Sequence, residues 1–282
     1  MERQKRALAV HDISCIGKCS LTAALPIISA AGVETAVIPT AVLSTHTGGF
    51  DGFTYRDLTD DILPISNHWR NLGINFDAIY TGFLGSTRQV DIIIEVLNTF
   101  GKNCLKIVDP AMADDGKMYT TFDSGFADEM KKLCKKADIV VPNVTEACFF
   151  LKRDFQKPPY KKKYIEGLLR DLCELFGSKV VLTGVCFNDS ELGAAVIETK
   201  SGGISYHFPK KIPQNYPGSG DIFASVLTAA LMKDFSLEKS AEIAAEFTAK
   251  AVEATFCAKT EPRYGLNFEG QIPWLIKTLG LM

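Results

Sequence analysis

The densest chemistry in this chain is the run Pro217-Gly218-Ser219-Gly220-Asp221, followed directly by the apolar Ile222-Phe223-Ala224-Ser225-Val226-Leu227. Two glycines at a helix start let the backbone turn sharply and present consecutive N–H groups. With the positive end of the helix dipole, those donors make an anion site. The acid in the first turn has two readings. Asp221 is either an N-cap worth about 1 kcal/mol to the helix, or a general base beside a bound phosphate. Its place late in the chain, before a long buried helix, favours the base.

Other patterns fail on inspection. Gly17-Lys18 invites a phosphate-loop reading, but position 12 is Asp where that motif needs Gly, and Cys19 stands where it needs Ser or Thr. No Gly-x-Gly-x-x-Gly follows the first apolar run, and no Gly-x-Ser-x-Gly elbow occurs. His11, His46, His68 and His207 have no metal-ligand spacing among themselves or with cysteine.

The elements that must position this chemistry follow a rhythm. Apolar runs at 7–11, 35–39, 78–81, 105–108, 139–141 and 180–183 read as strands. Amphipathic stretches at 21–31, 57–72, 86–100, 126–135, 145–151 and 165–176 read as helices. Gly32, Gly73, Gly101 and Gly177 close four of them as left-handed caps. Strand–helix alternation means βαβ crossovers, hence an α/β fold with a doubly wound, mostly parallel sheet covered by helices on both faces. A hairpin (194–198 and 203–208 around a turn at 199–202) and two long helices (222–233, 238–255) follow. With no Pro-, Gly- or Ser-rich linker, residues 1–282 are expected to form a single domain. The basic run 157–163 reads as a solvated loop. Ligands of such sheets sit beyond the carboxyl ends of the strands. That singles out His11-Asp12, 44–49, Gly82-Phe83, Asp109-Pro110, Pro142-Asn143 and Gly184.

Composition narrows the partners. Thirty-one Lys and Arg against 33 Asp and Glu leave a net charge of −2, so no bulk field holds nucleic acid or an anionic membrane. No apolar run reaches the length of a membrane span. The charged start leads into a short apolar stretch that Asp12 interrupts, which reads as a strand and not as a signal peptide. Eight cysteines without a Cys-x-x-Cys pair, most among apolar residues, fit reduced thiols in a cytoplasmic protein. Core packing is the expected role of Cys15 and Cys19.

Five segments in order resemble the pyridoxal kinase family of the ribokinase-like superfamily. These are Ser44-Thr45-His46-Thr47-Gly48, Asp109-Pro110-Ala111-Met112-Ala113-Asp114, Pro142-Asn143-Val144-Thr145-Glu146-Ala147, Val181-Leu182-Thr183-Gly184 and the Gly218–Asp221 run. The resemblance implies a small-molecule kinase using ATP and Mg²⁺, with K⁺ as a further cation, acting as a homodimer. It implies that Asp221 accepts the proton of a hydroxymethyl group while the N–H groups of Gly218, Ser219 and Gly220 hold the transferring phosphoryl. Asp109, Asp114 and Glu146 would supply oxygens to Mg²⁺, directly or through water. Asn143 and Thr183 would contact ATP phosphates. On residue types alone, Asp109 and Asp114 read first as loop turns and Glu146 as an exposed acid at a helix N-terminus, while Asn143 also reads as a helix cap and Thr183 as a strand-end turn; the family spacing reverses the order for the acids.

Asp12, Thr47 and Phe83 fall where the family holds its pyridine ring, and His46 reads as a buttress of that loop. Many pyridoxal kinases carry Ser at the position of Asp12 and Tyr at that of Phe83. A carboxylate suits a ring N–H or a protonated amine, so pyridoxamine is the expected preference. The alternative is that Asp12 is oriented by nearby backbone and never meets substrate. Ser219 stands where some relatives carry Cys. Hydroxymethylpyrimidine kinases of thiamine synthesis share most of these segments and are the nearest rival. A non-catalytic ligand-sensing relative is a rival of another class, and it predicts damage to the anion loop or base, both intact here.

Overall fold

The structure, a computed structural model, describes residues 3–123 and 125–282. β1 (Arg6–Ser14) is buried almost throughout, as expected of a central strand covered on both faces. α1 (Leu21–Ala30) returns the chain to β2 (Glu34–Leu43), and the short β3 (Tyr55–Asp57) leads into α2 (Thr59–Asn71). β4 (Ala78–Thr81), α3 (Thr87–Phe100) and β5 (Leu105–Val108) repeat the crossover. A two-stranded flap, β6 (Ala113–Asp114) with β7 (Lys117–Met118), precedes α4 (Phe126–Cys134), β8 (Ile139–Val140), α5 (Val144–Leu151), α6 (Lys162–Phe176) and β9 (Lys179–Val185). β10 (Gly193–Ile197) and β11 (Ile204–His207) form the hairpin, and α7 (Ser219–Met232), α8 (Leu237–Cys257) and α9 (Ile272–Thr278) end the chain.

One nine-stranded sheet runs β11-β10-β9-β8-β5-β4-β1-β2-β3. Its six central strands are parallel; β10, β11 and β3 pair antiparallel at the two edges. Apolar clusters fill both faces. One gathers α3, α4 and α6 residues such as Ile93, Met130 and Leu168. The other gathers α1, α7 and α8 residues such as Ile27, Val226 and Phe247. α7 is apolar nearly all round, which is why it sinks between sheet and α8. The strand order reverses beside β1, so the parallel strands open their carboxyl ends at a switch point that loops 15–20, 44–54, 82–86 and 109–116 surround.

Four details depart from the sequence reading. Asp57 ends a strand, and α2 begins only at Thr59. Gly101 is no left-handed cap: its φ is −80°, and it opens a 3-10 turn (Gly101–Asn103) where Gly32, Gly73 and Gly177 do take positive φ. The basic run is not wholly loop, because Tyr160 is buried with its N–H on the Cys186 carbonyl, and Lys162 and Lys163 open α6. Cys19 is buried, but Cys15 is exposed, so packing explains only the first. All eight cysteines are free, six of them buried. No helix among the described residues is long and apolar enough to cross a membrane.

Candidate active site

Gly218 turns the chain into α7 with φ 80°. A Cβ there would lie 2.6 Å from the Lys18 carbonyl oxygen and 3.0 Å from Cys19 Sγ, so only glycine lets the loop after β1 pack against the helix start. Gly218 gives no side-chain cap, and the first helical hydrogen bond recorded is Ile222 N–H to the Gly218 carbonyl at 3.0 Å. The N–H groups of Ser219 and Gly220 therefore face outward at the positive end of the helix. Asp221 follows in the same turn. Burial pushes its carboxyl up to about 7, the charge of Asp109 adds to this and that of Asp12 adds less, while an N–H from Ser20 holds it down. Ser20 sits at φ 53°, a left-handed backbone that aims its N–H across the loop.

Across the opening, Asp109 directly follows β5 and Glu146 lies in the first turn of α5. Asp109 accepts from Ala111 N–H at 3.1 Å. Glu146 is buried and accepts from Met112 N–H at 3.0 Å and Asn143 N–H at 2.8 Å, with a further N–H from Ala113. Burial raises both acids, and their mutual repulsion raises Asp109 further. Asn143 caps α5 by accepting from Glu146 N–H at 2.9 Å and donates to the Ala113 carbonyl at 2.7 Å. Thr145 Oγ1 accepts from Gly116 N–H at 3.0 Å, so the start of α5 anchors the β6–β7 flap at three points. Asp114 is exposed on that flap and accepts from Asp115 N–H at 2.8 Å. Thr183 bridges to Asn143 in parallel, its N–H on the Pro142 carbonyl at 2.9 Å. No group of three or more His, Cys, Asp and Glu side chains in metal-holding geometry occurs among the described residues.

At the end of β1, Asp12 is 4% exposed. Burial raises its carboxyl, opposed by hydrogen bonds from the Ser20 and Ser14 side chains, the latter at 2.9 Å. His46 pins the neighbouring loop: its Nε2 meets the Arg263 carbonyl at 2.7 Å, and its Nδ1 accepts from Gly48 N–H at 3.0 Å. That pairing fixes the Nε2-protonated tautomer, so His46 is a buttress. Gly17 makes room for the ring, since a Cβ there would overlap His46 Cδ2 at 2.0 Å. Thr47 is exposed beside it. Phe83 leaves β4 half-buried, its ring 5.4 Å from Phe122.

The structure thus brings Asp221, Gly218, Asp109, Asn143, Glu146 and Thr183 to one end of the sheet, with Asp12, Thr47 and Phe83 beside them. Sequence reasoning missed three contributors. Ser20 touches both Asp12 and Asp221. Tyr119, anchored by its N–H to the Met112 carbonyl at 2.9 Å, has its phenol pushed up by burial and by Glu146, Asp114, Asp109 and Asp221. Tyr55 reaches the opening from β3. None has a spacing signal. A cleft of about 540 Å³ lined by Asp189, Lys211, Pro213, Gln214 and Asn215 lies just upstream of the Gly218 turn.

Sheet order, an uncapped helix start and facing acids are those of the ribokinase-like class of α/β kinases. A family model described as phosphomethylpyrimidine kinase matches residues 19–264. The chain belongs to this family, within the ribokinase-like superfamily that also holds the pyridoxal kinases, and its class is that of phosphotransferases with an alcohol acceptor. Among solved structures it is similar to a Bacteroides thetaiotaomicron protein provisionally described as a phosphomethylpyrimidine kinase, in a crystal form with pyridoxal. They share 34% identity over 97% of this chain and 96% of that one, with a TM-score of 0.91. It is also similar to pyridoxal kinase from Lactobacillus plantarum, at 28% identity over 98% of both chains and a TM-score of 0.90. A curated relative, the chloroplastic thiamine biosynthetic bifunctional enzyme TH1 of Arabidopsis thaliana, is 26% identical over 241 residues. That match takes in 83% of this chain but 44% of the relative's own length.

Proposed function

We propose that the chain transfers the γ-phosphoryl group of ATP to the hydroxymethyl group of a B6 vitamer: pyridoxamine, pyridoxal or pyridoxine. The observation that carries this is Asp221 in the first turn of a helix whose Gly218 cap leaves the leading N–H groups open; burial raises its carboxyl to about 7. A base with a pKa near the working pH combines a useful ionised fraction with real proton affinity. As the vitamer oxygen bonds to phosphorus, its proton passes to Asp221, and the bond to the ADP leaving oxygen breaks. The N–H groups of Gly218, Ser219 and Gly220 stabilise the transferring phosphoryl, at ~2.7–4 kcal/mol for each well-placed donor. Asp109, Asn143 and Thr183 line the path of the nucleotide phosphates.

The acids fit a hard divalent cation. Two buried carboxylates that repel each other are relieved by positive charge between them. Glu146 spends three acceptor sites on backbone N–H groups, which leaves it a role toward a metal-bound water. Asp109, Glu146 and the flap acid Asp114 would hold Mg²⁺ chiefly through water. When bound, it would neutralise phosphate charge. The proposal takes 1–282 as one kinase domain, working as a cytoplasmic homodimer with K⁺ as a second cation.

Within the vitamers Asp12 favours pyridoxamine over the aldehyde, because a buried carboxylate at the strand end matches a ring N–H or a protonated amine. The second reading, a hydroxymethylpyrimidine kinase, draws on the family's description and the thiamine biosynthetic relative. The test is ATP-dependent phosphorylation of the three vitamers and of hydroxymethylpyrimidine with Mg²⁺ and K⁺, alongside Asp221→Asn. The expected result is vitamer turnover, pyridoxamine first, lost in the variant. Turnover of the pyrimidine alone sinks the B6 reading.

A further inference from the structure

Tyr55 pairs with Leu43, the last residue of β2 before the 44–48 segment. Its ring is 44% exposed, yet its hydroxyl lies against Gly85, where a Cβ would come within 2.4 Å of the oxygen. Gly85 belongs to the turn that carries Phe83 away from β4. That turn is held on several sides. Gln89, fully buried on α3, accepts from Gly85 N–H at 2.7 Å and donates to the Thr40 carbonyl and to Thr59 Oγ1, both at 2.9 Å. Thr40 Oγ1 donates to the Phe83 carbonyl at 3.3 Å, and Thr59 N–H donates to Asp57 Oδ1 at 2.8 Å. A first-turn glutamine with no exposure, its own N–H capped by Ser86, thus ties β2, β3, the start of α2 and the turn after β4 into one frame.

In the sheet, β1 and β2 separate β4 from β3. The turn leans across from one side and Tyr55 reaches in from the other. Together they roof the carboxyl end of β1, where Asp12 sits; the charge of Asp12 is among those pushing the Tyr55 phenol up. The only partner of the hydroxyl among the described residues is Asp57 Oδ2 at 3.5 Å, the outer limit of a hydrogen bond. Its proton is therefore free for a ligand. The walls now offer an acceptor in Asp12, flat apolar rings in Phe83 and Tyr55, and one hydroxyl donor that Phe83 lacks. A flat aromatic alcohol with a donor toward Asp12 and an oxygen on its ring matches that set.

We propose that Tyr55 is a specificity-determining residue whose hydroxyl donates to a ring-bound oxygen of the aromatic alcohol, and that Gln89 is the positioning residue that sets it there. The proposal rests on the kinase reading above. The test is steady-state kinetics of Tyr55→Phe and Gln89→Glu with pyridoxamine, hydroxymethylpyrimidine and ATP as varied substrates. Tyr55→Phe should raise KM for pyridoxamine about 3–10-fold, the worth of one hydrogen bond. It should leave kcat, KM for ATP and KM for the pyrimidine, which has no ring oxygen, within twofold. Gln89→Glu keeps the acceptor for Gly85 but loses both donors. It should raise KM for pyridoxamine with KM for ATP unchanged, and the defect should ease as pH falls and the new acid regains a proton. An unchanged KM in Tyr55→Phe while the wild type phosphorylates pyridoxamine overturns this proposal and leaves the kinase reading standing. An equal rise for both alcohols also overturns it. Failure of the wild type on every vitamer overturns the kinase reading itself.

Discussion

Two helices, α5 and α7, begin at the same end of the sheet with an acid in their third position, and they use it in opposite ways. At α5 the cap is Asn143, and Glu146 closes a reciprocal box with it, each side chain satisfying a backbone N–H of the other. That acid is occupied. At α7 the cap is Gly218, which has no side chain to close a box. The helix N–H groups stay open, and Asp221 is steadied from a distant loop by the Ser20 N–H. One residue type at the cap separates an acid committed to the backbone, able to reach a cation only through water, from one open to take a proton.

The largest effect should come from Asp221→Asn. It keeps size and polarity but cannot take the proton, and kcat should fall about 10²–10⁴-fold while nucleotide affinity, read by titration calorimetry, stays near wild type. Next is Gly218→Ala. The added Cβ meets the Lys18 carbonyl at 2.6 Å in a backbone of φ 80°, so the donors lose their aim. A fall in kcat of about 10²-fold is expected, the scale of losing one preorganised donor. If kcat is retained, the open helix start is not where phosphoryl transfer occurs.

Asn143→Ala removes the cap that α7 never had. It should cost roughly 0.5–2 kcal/mol in urea unfolding, and it should move kcat less than either change at α7. A reversed ranking would erase the contrast between the helices. The smallest effect is on stability against pH. Asp109, Glu146 and Asp221 all titrate higher in the folded chain than unfolded, so their neutral forms favour the fold. Their contribution is fully present below the unfolded carboxyl range and is lost as pH rises through about 7 for Glu146 and Asp221 and about 8 for Asp109. Between pH 5 and 8, Tm of the free protein should decline, and Mg²⁺ with nucleotide should flatten that decline.

Much of the frame was legible because burial on both faces writes short apolar runs into β1, β4 and β9, and Gly32, Gly73 and Gly177 mark the ends of α1, α2 and α6. β3 was not legible, since Tyr55, Arg56 and Asp57 are all exposed and show no alternation. Only pairing with β2 makes them a strand. The Gly218–Asp221 run was legible because its chemistry is local. Ser20, Tyr119 and Tyr55 were not, because each acts through a contact distant in the chain. Nothing in the types around Ser20 announces a left-handed serine. On sequence, Asn143 reads both as a cap and as a phosphate contact, and the hydrogen bonds make it a cap first; Glu146 reads as an exposed first-turn acid or a metal ligand, and it is instead buried and closes the capping box.

The account turns on Asp221 being an ionisable base at an uncapped helix start. The most direct measurement is the pH dependence of kcat/KM for pyridoxamine from pH 5 to 9, in wild type and in Asp221→Asn. The wild type should rise with pH through a midpoint near 7, as the carboxyl loses its proton, and the variant's residual rate should lack that limb. A wild-type profile that is flat through this range, or the same limb persisting in Asp221→Asn, would contradict it.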